Sequence, residues 1–246
     1  MTSPARTHVV VGGASGIGAA VVESERSAGV TVLVLDIAGD HDVKCDVTDP
    51  VSIDEAVSET VARVGAPSEV TVTAGVGHSG MLLDLPVDEW DHVIAVNTRG
   101  PLLVMRAFAR VMIDSGTSGS IVATSSVSAR LVDRSMGAYC ASKAALSMLV
   151  EIAASEWAPH GIRVNAVGPG VTATPMLGRA PNTESGWLAS VQDRTPLGRL
   201  GTADDIAEVI GLLHGAHWVT GQILEADGGL GLHSPIDAFG EAQRGT

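Results

Sequence analysis

Short apolar runs that alternate with helical stretches constrain the fold of this chain more than any other feature. The β-branched run His8–Val11 leads directly into glycines, and a helical stretch follows from Gly16. The same alternation repeats as far as Ala226. Continuous apolar strands are typical of a parallel sheet that is buried on both faces by helices. The pattern therefore predicts an α/β fold built on a doubly wound parallel sheet.

The alternation predicts seven strands and six helices. The strands are predicted at His8–Val11, Val30–Leu35, His41–Cys45, Val70–Thr73, Ser120–Ser125, Ile162–Val167 and Gln222–Ala226. The helices are predicted at Gly16–Ala28, Pro50–Val64, Val87–Asn97, Gly100–Ser115, Gly137–Pro159 and Thr202–His214. No linker interrupts this series, so residues 1–246 are expected to form a single domain.

Two segments depart from the alternation. Residues 173–200 contain three prolines, three glycines and no clear period, and we interpret them as a substrate loop or lid. The apolar residues Met136, Met176, Leu177 and Trp187 could form a pocket wall with this lid. Residues 231–246 are polar and are expected to form a C-terminal tail.

Charge and composition exclude several classes of partner. The chain carries a net charge of −13, and its basic residues are not clustered. Nucleic acids and anionic membrane surfaces attract positive protein surfaces, so we expect neither as a partner. The chain lacks a run of about 18 apolar residues that could span a membrane, and its first residues lack the apolar stretch of a signal peptide. A cytoplasmic location is therefore expected.

Neither the cysteines nor the histidines indicate a metal site. Cys45 and Cys140 are too few for a disulfide framework and lack metal-ligand spacing. His214 and His217 lie three residues apart on a predicted helix, but no third ligand is evident, so we interpret them as surface histidines. His78 follows the fourth strand and is either a substrate contact or a solvated loop residue.

A glycine-rich turn follows the first strand. Gly12, Gly16 and Gly18 allow a tight turn and a close approach of the backbone to a pyrophosphate, and Ser15 and Ile17 lie within the same turn. The helix that starts near Gly16 directs its first amides at such an anion. A glycine-rich turn without a ligand is the alternative. The preceding strand and following helix favour a nucleotide site in a Rossmann fold.

Asp36 follows the second strand, and its carboxylate can accept hydrogen bonds from an adenosine ribose. The same carboxylate would repel a 2′-phosphate, so NAD is favoured over NADP. A solvated turn carboxylate is the alternative. Asp46 and Val47 follow the third strand and could cover the edge of the adenine.

One hydroxyl, one phenol and one ammonium group form the candidate catalytic set. Tyr139 is followed four residues later by Lys143, so both can lie on one face of a helix. A positive charge beside a phenol favours the phenolate and lowers its pKa, which would suit an acid or base near neutral pH. Ser126 lies 13 residues before the tyrosine in a separate hydroxyl-rich segment.

Together these residues resemble the short-chain dehydrogenase/reductase family from about His8 to Gly229. The likeness includes the glycine-rich turn, Asp36, Asp46-Val47, Asn97, Ser126, Tyr139, Lys143, Pro169-Gly170, Thr220-Gly221-Gln222 and Asp227-Gly228-Gly229. The resemblance implies NAD-dependent interconversion of a small secondary alcohol and a ketone. It also implies a homo-oligomer, a tetramer or a dimer, in which helices such as 100–115 and 137–159 commonly pair between subunits.

The resemblance also implies a role for each matching residue. Tyr139 would be the general acid/base, and Lys143 would lower its pKa and hold the ribose hydroxyls of the nicotinamide half. Ser126 would hydrogen-bond the substrate oxygen, although Ser125 is a rival by residue type. Asn97 would position a water molecule on a proton relay from Lys143; its alternative is a helix-terminus or kink residue. The remaining cofactor contacts would come from Ala74, Gly75, Pro169, Gly170 and Thr172.

Two positions depart from the family pattern. Val11 replaces the usual threonine before the first glycine, which removes a hydroxyl that ties the turn together. Val72-Thr73 replaces two asparagines before Ala74-Gly75, so local hydrogen bonding must differ there. Neither change removes a reacting group.

Three other functions are compatible with parts of the pattern. A dinucleotide-binding regulator or scaffold should have a broken Ser/Tyr/Lys set, whereas this set is intact. A nucleotide-sugar epimerase generally needs a longer C-terminal region, and a methyltransferase would not need the Tyr139–Lys143 pair.

Overall fold

The computed structural model describes residues 6–178 and 186–232 of the chain. Its strands are β1 Thr7–Val11, β2 Thr31–Asp36, β3 Val43–Lys44, β4 Glu69–Val72, β5 Gly119–Thr124, β6 Ile162–Pro169, β7 Thr172–Ala173, β8 Gly201–Thr202 and β9 Ile223–Ala226. Its α-helices are α1 Gly16–Ser27, α2 Pro50–Val64, α3 Val87–Ile94, α4 Gly100–Ser115, α5 Gly137–Trp157, α6 Pro175–Gly178, α7 Trp187–Arg194 and α8 Ala203–Gly215.

Seven of these strands form one parallel sheet in the order β3-β2-β1-β4-β5-β6-β9. The strand order reverses between β1 and β4, and ligands of doubly wound sheets bind outside the carboxyl ends of the strands at this point. The short strands β7 and β8 pair separately. The predicted α/β architecture, a doubly wound Rossmann sheet, is therefore confirmed.

Helices cover both faces of the sheet and enclose two apolar cores. Ile53 of α2, Phe108 of α4 and Leu146 of α5 pack on one face. Val21 of α1 and Ile210 of α8 pack on the other. All five residues of β1 are buried, as expected for a central parallel strand. The chain uses few aromatics, so both cores consist mainly of valine, leucine, isoleucine and alanine.

Side-chain caps define the starts of two helices. Asp49 accepts a hydrogen bond from the Val51 amide, and Pro50 occupies the first turn of α2. Thr202 and Asp205 form a reciprocal capping box at the start of α8. Arg199 forms a bidentate ion pair with Asp205, and these contacts hold the pKa of that carboxyl below its usual value. The end of the predicted lid is thus fastened to the start of α8.

The structure differs from the prediction in two places. The predicted helix over 87–97 ends at Ile94 and continues as a π-helical turn, Ala95–Arg99, directly into α4. Residues 173–200, predicted without regular structure, contain the short helices α6 and α7. The middle of the predicted lid, 179–185, and the tail from residue 233 lie outside the described residues. Among the helices described, none has the length and apolar character needed to cross a membrane.

Candidate active site

The carboxyl edge of the sheet brings the predicted site residues together. Each comes from the end of a strand or from a helix that passes over that edge. The glycine turn follows β1, Asp36 ends β2, Ala74-Gly75 follow β4, Ser126 follows β5, and Pro169-Gly170 end or follow β6. Tyr139 and Lys143 lie in the first two turns of α5. Residues that are up to about 150 positions apart in the chain therefore face one crevice.

The glycine turn requires glycine because its backbone is closely packed. Gly12 has φ +84°, and a Cβ there would lie 2.5 Å from the Ala74 nitrogen. A Cβ on Gly18 would lie 2.2 Å from the Gly12 carbonyl oxygen. The Thr73 hydroxyl donates to the carbonyls of Val11 and Gly12 at 3.1 and 3.0 Å. Thr73, directly after β4, thus supplies the hydroxyl that holds the turn together, which the Val11 side chain cannot do.

The start of α1 has the chemistry to bind an anion. Ser15 precedes the helix and makes no side-chain cap, and the first turn contains no acidic residue. Its first amides are therefore available, and the positive end of the helix dipole favours negative charge there. These features fit the pyrophosphate of a dinucleotide.

Asp36 has a structural contact in addition to its predicted ligand role. One carboxylate oxygen accepts from the Ala14 amide at 3.0 Å, and the other accepts from the amides of Ile37 and Ala38 at 2.8 and 3.3 Å. A carboxylate has about four lone-pair sites, so capacity remains for a ribose hydroxyl.

The Asp46-Val47 pair has a clear local role. The Asp46 carboxylate accepts from the amide and hydroxyl of Thr48. Val47 is buried, and a Cβ on Gly100 would lie 2.9 Å from its carbonyl oxygen. The pair shapes the turn between β3 and α2, and the adenine contact stays a prediction.

The two candidate serines have different surroundings. Ser126 caps a 3₁₀ turn by accepting from the Ser128 amide at 3.1 Å, and its side chain is close enough to Tyr139 to favour a lower pKa of the phenol. Ser125 instead hydrogen-bonds Ser147 at 2.7 Å and the Lys143 carbonyl at 3.3 Å on α5. Ser126 is the serine that faces the phenol.

Burial dominates the electrostatics of Tyr139. Removal from water disfavours the phenolate and raises the pKa of Tyr139 above its usual value, although the hydrogen bond with Ser126 opposes this shift. The Lys143 nitrogen lies 5.7 Å from the centre of the phenol ring, so the two groups share one face of α5 as expected. The pKa of Tyr139 is therefore raised in the protein alone, mainly by burial, and the lowering expected from Lys143 is not found there.

Lys143 is buried at the end of β5. Its ammonium donates to the Thr124 carbonyl at 2.8 Å, which leaves two N–H donors for other partners. Burial lowers the pKa of Lys143 to about 8, because the charged form loses its hydration. A Cβ on Gly75 would lie 3.5 Å from this nitrogen. Lys143 therefore projects toward the loop after β4.

Asn97 occupies the π-helical turn between α3 and α4. Its side chain accepts from the Val76 amide at 2.8 Å and donates to the Val76 carbonyl at 2.9 Å and the Ser142 hydroxyl at 3.1 Å. It thereby joins the loop after β4 to α5. Pro101, four residues later, has no N–H to donate to the Asn97 carbonyl. That main-chain oxygen lacks its usual α-helical partner.

The residues after β6 are packed against β9 and β8. A Cβ on Gly170 would lie 2.8 Å from the Asp227 Cα, so only glycine fits there. The Thr172 hydroxyl donates to the Gly170 carbonyl at 3.0 Å. Pro169 is the last residue of β6, opposite Ala226. These residues border the crevice, while their contacts to a nicotinamide stay predictions.

The described start of the predicted lid lies across the crevice. Thr174 and Pro175 lie 3.6 and 3.8 Å from where a Cβ on Gly16 would be. The Met176 side chain lies 3.9 Å from the corresponding point on Gly77. This segment therefore lies near both the glycine turn and the loop after β4, while its role as a lid stays a prediction.

Sequence reasoning was wrong about one histidine and missed several contacts. His214 is fully enclosed between α8 and the sheet, not a surface residue, because α8 turns this side chain inward. Thr73 was noted only as a departure, yet it ties the glycine turn. The acceptor for Lys143 is a main-chain carbonyl, for which no side-chain signal exists. His78 lies 3.6 Å from Glu89 and borders Gly80.

Comparison with known proteins places this geometry in a family. A family model described as enoyl-(acyl carrier protein) reductase matches residues 12–231. A 2,5-dichloro-2,5-cyclohexadiene-1,4-diol dehydrogenase of Sphingobium indicum is 34% identical over 240 residues, covering 91% of this chain and 96% of the relative. The human (3R)-3-hydroxyacyl-CoA dehydrogenase is 32% identical over 248 residues, covering 90% of this chain and 94% of the relative.

A solved structure agrees with these relatives. The 3-ketoacyl-(acyl-carrier-protein) reductase from Brucella melitensis, complexed with NADH, is 26% identical with a TM-score of 0.85. The match covers 92% of this chain and 98% of that one. The sheet order, the glycine turn and the Ser126, Tyr139 and Lys143 set at one edge agree with these matches. The chain therefore belongs to the short-chain dehydrogenase/reductase family and is an oxidoreductase acting on CH–OH groups.

Proposed function

We propose that the protein interconverts a small secondary alcohol and a ketone with NAD as the hydride carrier. The observation that carries this proposal is the position of Ser126, Tyr139 and Lys143 beside an open helix N-terminus at the carboxyl edge of the sheet. A hydroxyl, a phenol and an ammonium there match the needs of proton transfer to or from an alcohol oxygen.

The choice of NAD over NADP rests on Asp36. Its carboxylate ends β2 beside the glycine turn and has lone pairs left for a ribose hydroxyl. Its negative charge would repel a 2′-phosphate, and neither Ser15 nor Ile37 adds a positive charge. The amides at the start of α1 would hold the pyrophosphate, and Lys143 would bind the ribose of the nicotinamide half. When bound, the cofactor accepts or donates the hydride and brings a positively charged ring in its oxidised form.

The chain's own residues would handle the proton. Tyr139 transfers a proton between its phenol oxygen and the substrate oxygen, and Ser126 donates a hydrogen bond to that same oxygen. Burial keeps the phenol protonated in the protein alone, which suits donation in the direction of ketone reduction. Alcohol oxidation requires the phenolate, which positive charge beside the ring favours.

A route for that proton involves Lys143 and Asn97. Lys143 has two free N–H donors after its bond to Thr124. Pro101 cannot supply the α-helical N–H to the Asn97 main-chain carbonyl, which is therefore a candidate acceptor for a water molecule. We infer that a water held there relays protons between Lys143 and solvent, while the Asn97 side chain fixes the loop.

The test is a spectrophotometric screen of secondary alcohols and ketones with NAD(H) and NADP(H). We expect NADH formation with at least one alcohol, and a loss of kcat of about 10²-fold or more in Tyr139→Phe, within the range for acid–base catalysis. Asp36→Ala should raise the KM for NAD and narrow the preference over NADP. Wild-type turnover in Tyr139→Phe would contradict the acid/base assignment.

The same screen separates two alternatives. The family model is described as an enoyl reductase, so an enoyl thioester such as crotonyl-CoA belongs in the panel beside a 3-hydroxyacyl thioester. Reduction of only the enoyl compound would replace the alcohol/ketone proposal. Binding of NAD without turnover of any substrate would instead favour a regulator or scaffold. The homo-oligomer and the cytoplasmic location stay predictions.

A further inference from the structure

The amino-terminal edge of the sheet, opposite the active site, holds a polar cluster that the proposed reaction does not use. It consists of His8 on β1, Glu25 on α1 and Glu69 on β4. His8 and Glu69 are direct partners in the parallel register of β1 and β4. His8 is fully buried, and both carboxylate side chains are only 11% exposed. Buried groups of this kind need partners of opposite charge.

One atom of this cluster lacks a partner. The His8 Nδ1 atom makes no hydrogen bond to any of the described residues. It points at two carboxylate oxygens, Oε2 of Glu69 at 3.7 Å and Oε2 of Glu25 at 3.9 Å. All three atoms lie within 4.8 Å of one another. A buried imidazole nitrogen and two carboxylate oxygens thus converge on one point.

The other nitrogen of His8 belongs to a hydrogen-bonded chain. His8 Nε2 and His214 Nε2 each lie 2.8 Å from the Thr71 hydroxyl oxygen. The hydroxyl has one proton, so it donates to one ring and accepts from the other. When His8 donates from Nε2, its Nδ1 lone pair faces the carboxylates. A ligating histidine commonly donates its second ring N–H in this way.

A cation already occupies the convergence point. Nη2 of Arg6 lies 2.9 Å from Oε2 of Glu25 and 2.8 Å from Oε2 of Glu69. The Arg6 side chain is 51% exposed and can move into solvent. Arg163 is the other nearby cation, but its guanidinium is bound to the main-chain carbonyls of Leu213, His214 and Val219. Removal of Arg6 from the cluster would leave two carboxylates facing the His8 imidazole without a guanidinium to pair with them.

We propose that His8, Glu25 and Glu69 form a binding site for a zinc-like divalent cation, with Arg6 as a displaceable guanidinium in its place. One imidazole nitrogen and two carboxylate oxygens suit zinc, which accepts mixed N/O ligands. Magnesium favours oxygen ligands alone. Three protein ligands leave a fourth position for water on the side that Arg6 vacates.

Binding of a metal ion requires the three ligand atoms to move closer together. Metal–ligand bonds of about 2.0–2.2 Å place tetrahedral ligand atoms about 3.4 Å apart. The separations of 3.7 and 3.9 Å from His8 Nδ1 therefore need to shorten by a few tenths of an ångström, and the two carboxylate oxygens, which lie within 4.8 Å of each other, must also approach. Glutamate side chains can supply this movement without displacing β1 or β4. The site would link α1 to two central strands, so an occupied site should stabilise the fold.

The test measures zinc binding to the whole protein by isothermal titration calorimetry in a non-chelating buffer. Arg6→Ala should bind one equivalent of zinc at least tenfold more tightly than the wild type, because the competing guanidinium is gone. The unfolding temperature of Arg6→Ala should rise with zinc. X-ray absorption of the zinc complex should show one imidazole and two carboxylate ligands.

Matched variants separate this site from surface binding. In the Arg6→Ala background, Glu69→Gln and Glu25→Gln should each reduce zinc affinity at least tenfold. Glu23→Gln, an exposed change on the same helix as Glu25, and His217→Gln should leave it unchanged. The proposal is overturned if Arg6→Ala binds no zinc, or if Glu69→Gln binds it as tightly as its parent. Circular dichroism of each variant establishes that it is folded.

Discussion

The chain contains one tyrosine, so the ionisation of Tyr139 can be measured without interference from other tyrosines. Burial raises the pKa of Tyr139 above its ordinary value of 10 in the protein without cofactor. We expect tyrosinate absorbance near 295 nm to appear with a midpoint above pH 10. Saturating NAD should lower this midpoint, since positive charge favours the phenolate. Tyr139→Phe should give no signal, and an unchanged midpoint with NAD would contradict the proposed coupling.

Lys143 should make folding stability depend on alkaline pH. Burial lowers the pKa of Lys143 from 10.5 to about 8 in the folded protein. Between these values the unfolded chain binds more protons, so the free energy of unfolding should rise with pH. This increase in the free energy of unfolding is at most roughly 3 kcal/mol, since one pKa unit corresponds to about 1.4 kcal/mol. We expect Lys143→Met to lose the increase.

The chain offers a direct control for this prediction. Lys44 is the other of the chain's two lysines, and its side chain is exposed. Lys44→Met should keep the wild-type dependence on pH in chemical denaturation followed by circular dichroism. Equal pH dependence in the wild type and Lys143→Met would show that the folded lysine has an ordinary pKa.

The proximity of Tyr139 and Lys143 was predictable, while their electrostatics were not. The spacing of Tyr139 and Lys143 is local, so helical periodicity alone brings them onto one face. The pKa shifts depend on burial and on the Thr124 carbonyl, which tertiary packing provides. The contrast between Ser125 and Ser126 likewise required the position of Ser147 on α5.

The π-helical turn between α3 and α4 allows a test at the scale of one element. Alanine at position 101 would provide an N–H four residues after Asn97 that could bond to the Asn97 carbonyl in place of the proposed water. We therefore expect Pro101→Ala to lower kcat by about tenfold, at the low end for acid–base steps, with little change in NAD affinity. Pro50→Ala, a proline change in the first turn of α2, should leave kcat unchanged. Unaltered kcat in Pro101→Ala would argue against the water relay.

Element types were predictable from periodicity, but pairing and irregular turns were not. Short apolar runs identified all seven strands of the main sheet, with ends that differ by at most two residues. The neighbouring positions of His8 and Glu69 depend on which strands pair and in which register. The short helices α6 and α7 lack an apolar period long enough to be recognised. The lid role stays a prediction, and the expectation of no regular structure there was wrong about these two helices.

Exposed apolar residues on α5 bear on the oligomeric state of the whole molecule. Met148 and Ile152 lie four residues apart on this helix and are 55% and 45% exposed. They support the prediction that α4 and α5 pair between subunits. We expect light scattering to detect a dimer or tetramer, and expect Met148→Glu combined with Ile152→Glu to reduce the mass. Val51→Glu, an exposed change on α2, should leave the mass unchanged. A monomeric wild type would contradict the prediction.

The parallel sheet β3-β2-β1-β4-β5-β6-β9 has a carboxyl edge and an amino edge, and these two poles of the molecule differ in chemistry. Every group assigned to the reaction lies beyond one pole, whereas Arg6, Glu25 and Glu69 lie beyond the other. Thermal stability near the Arg6, Glu25 and Glu69 cluster and substrate preference near Met176 can therefore be engineered separately. Changes at the two poles should combine additively, because the intervening strands keep them out of contact.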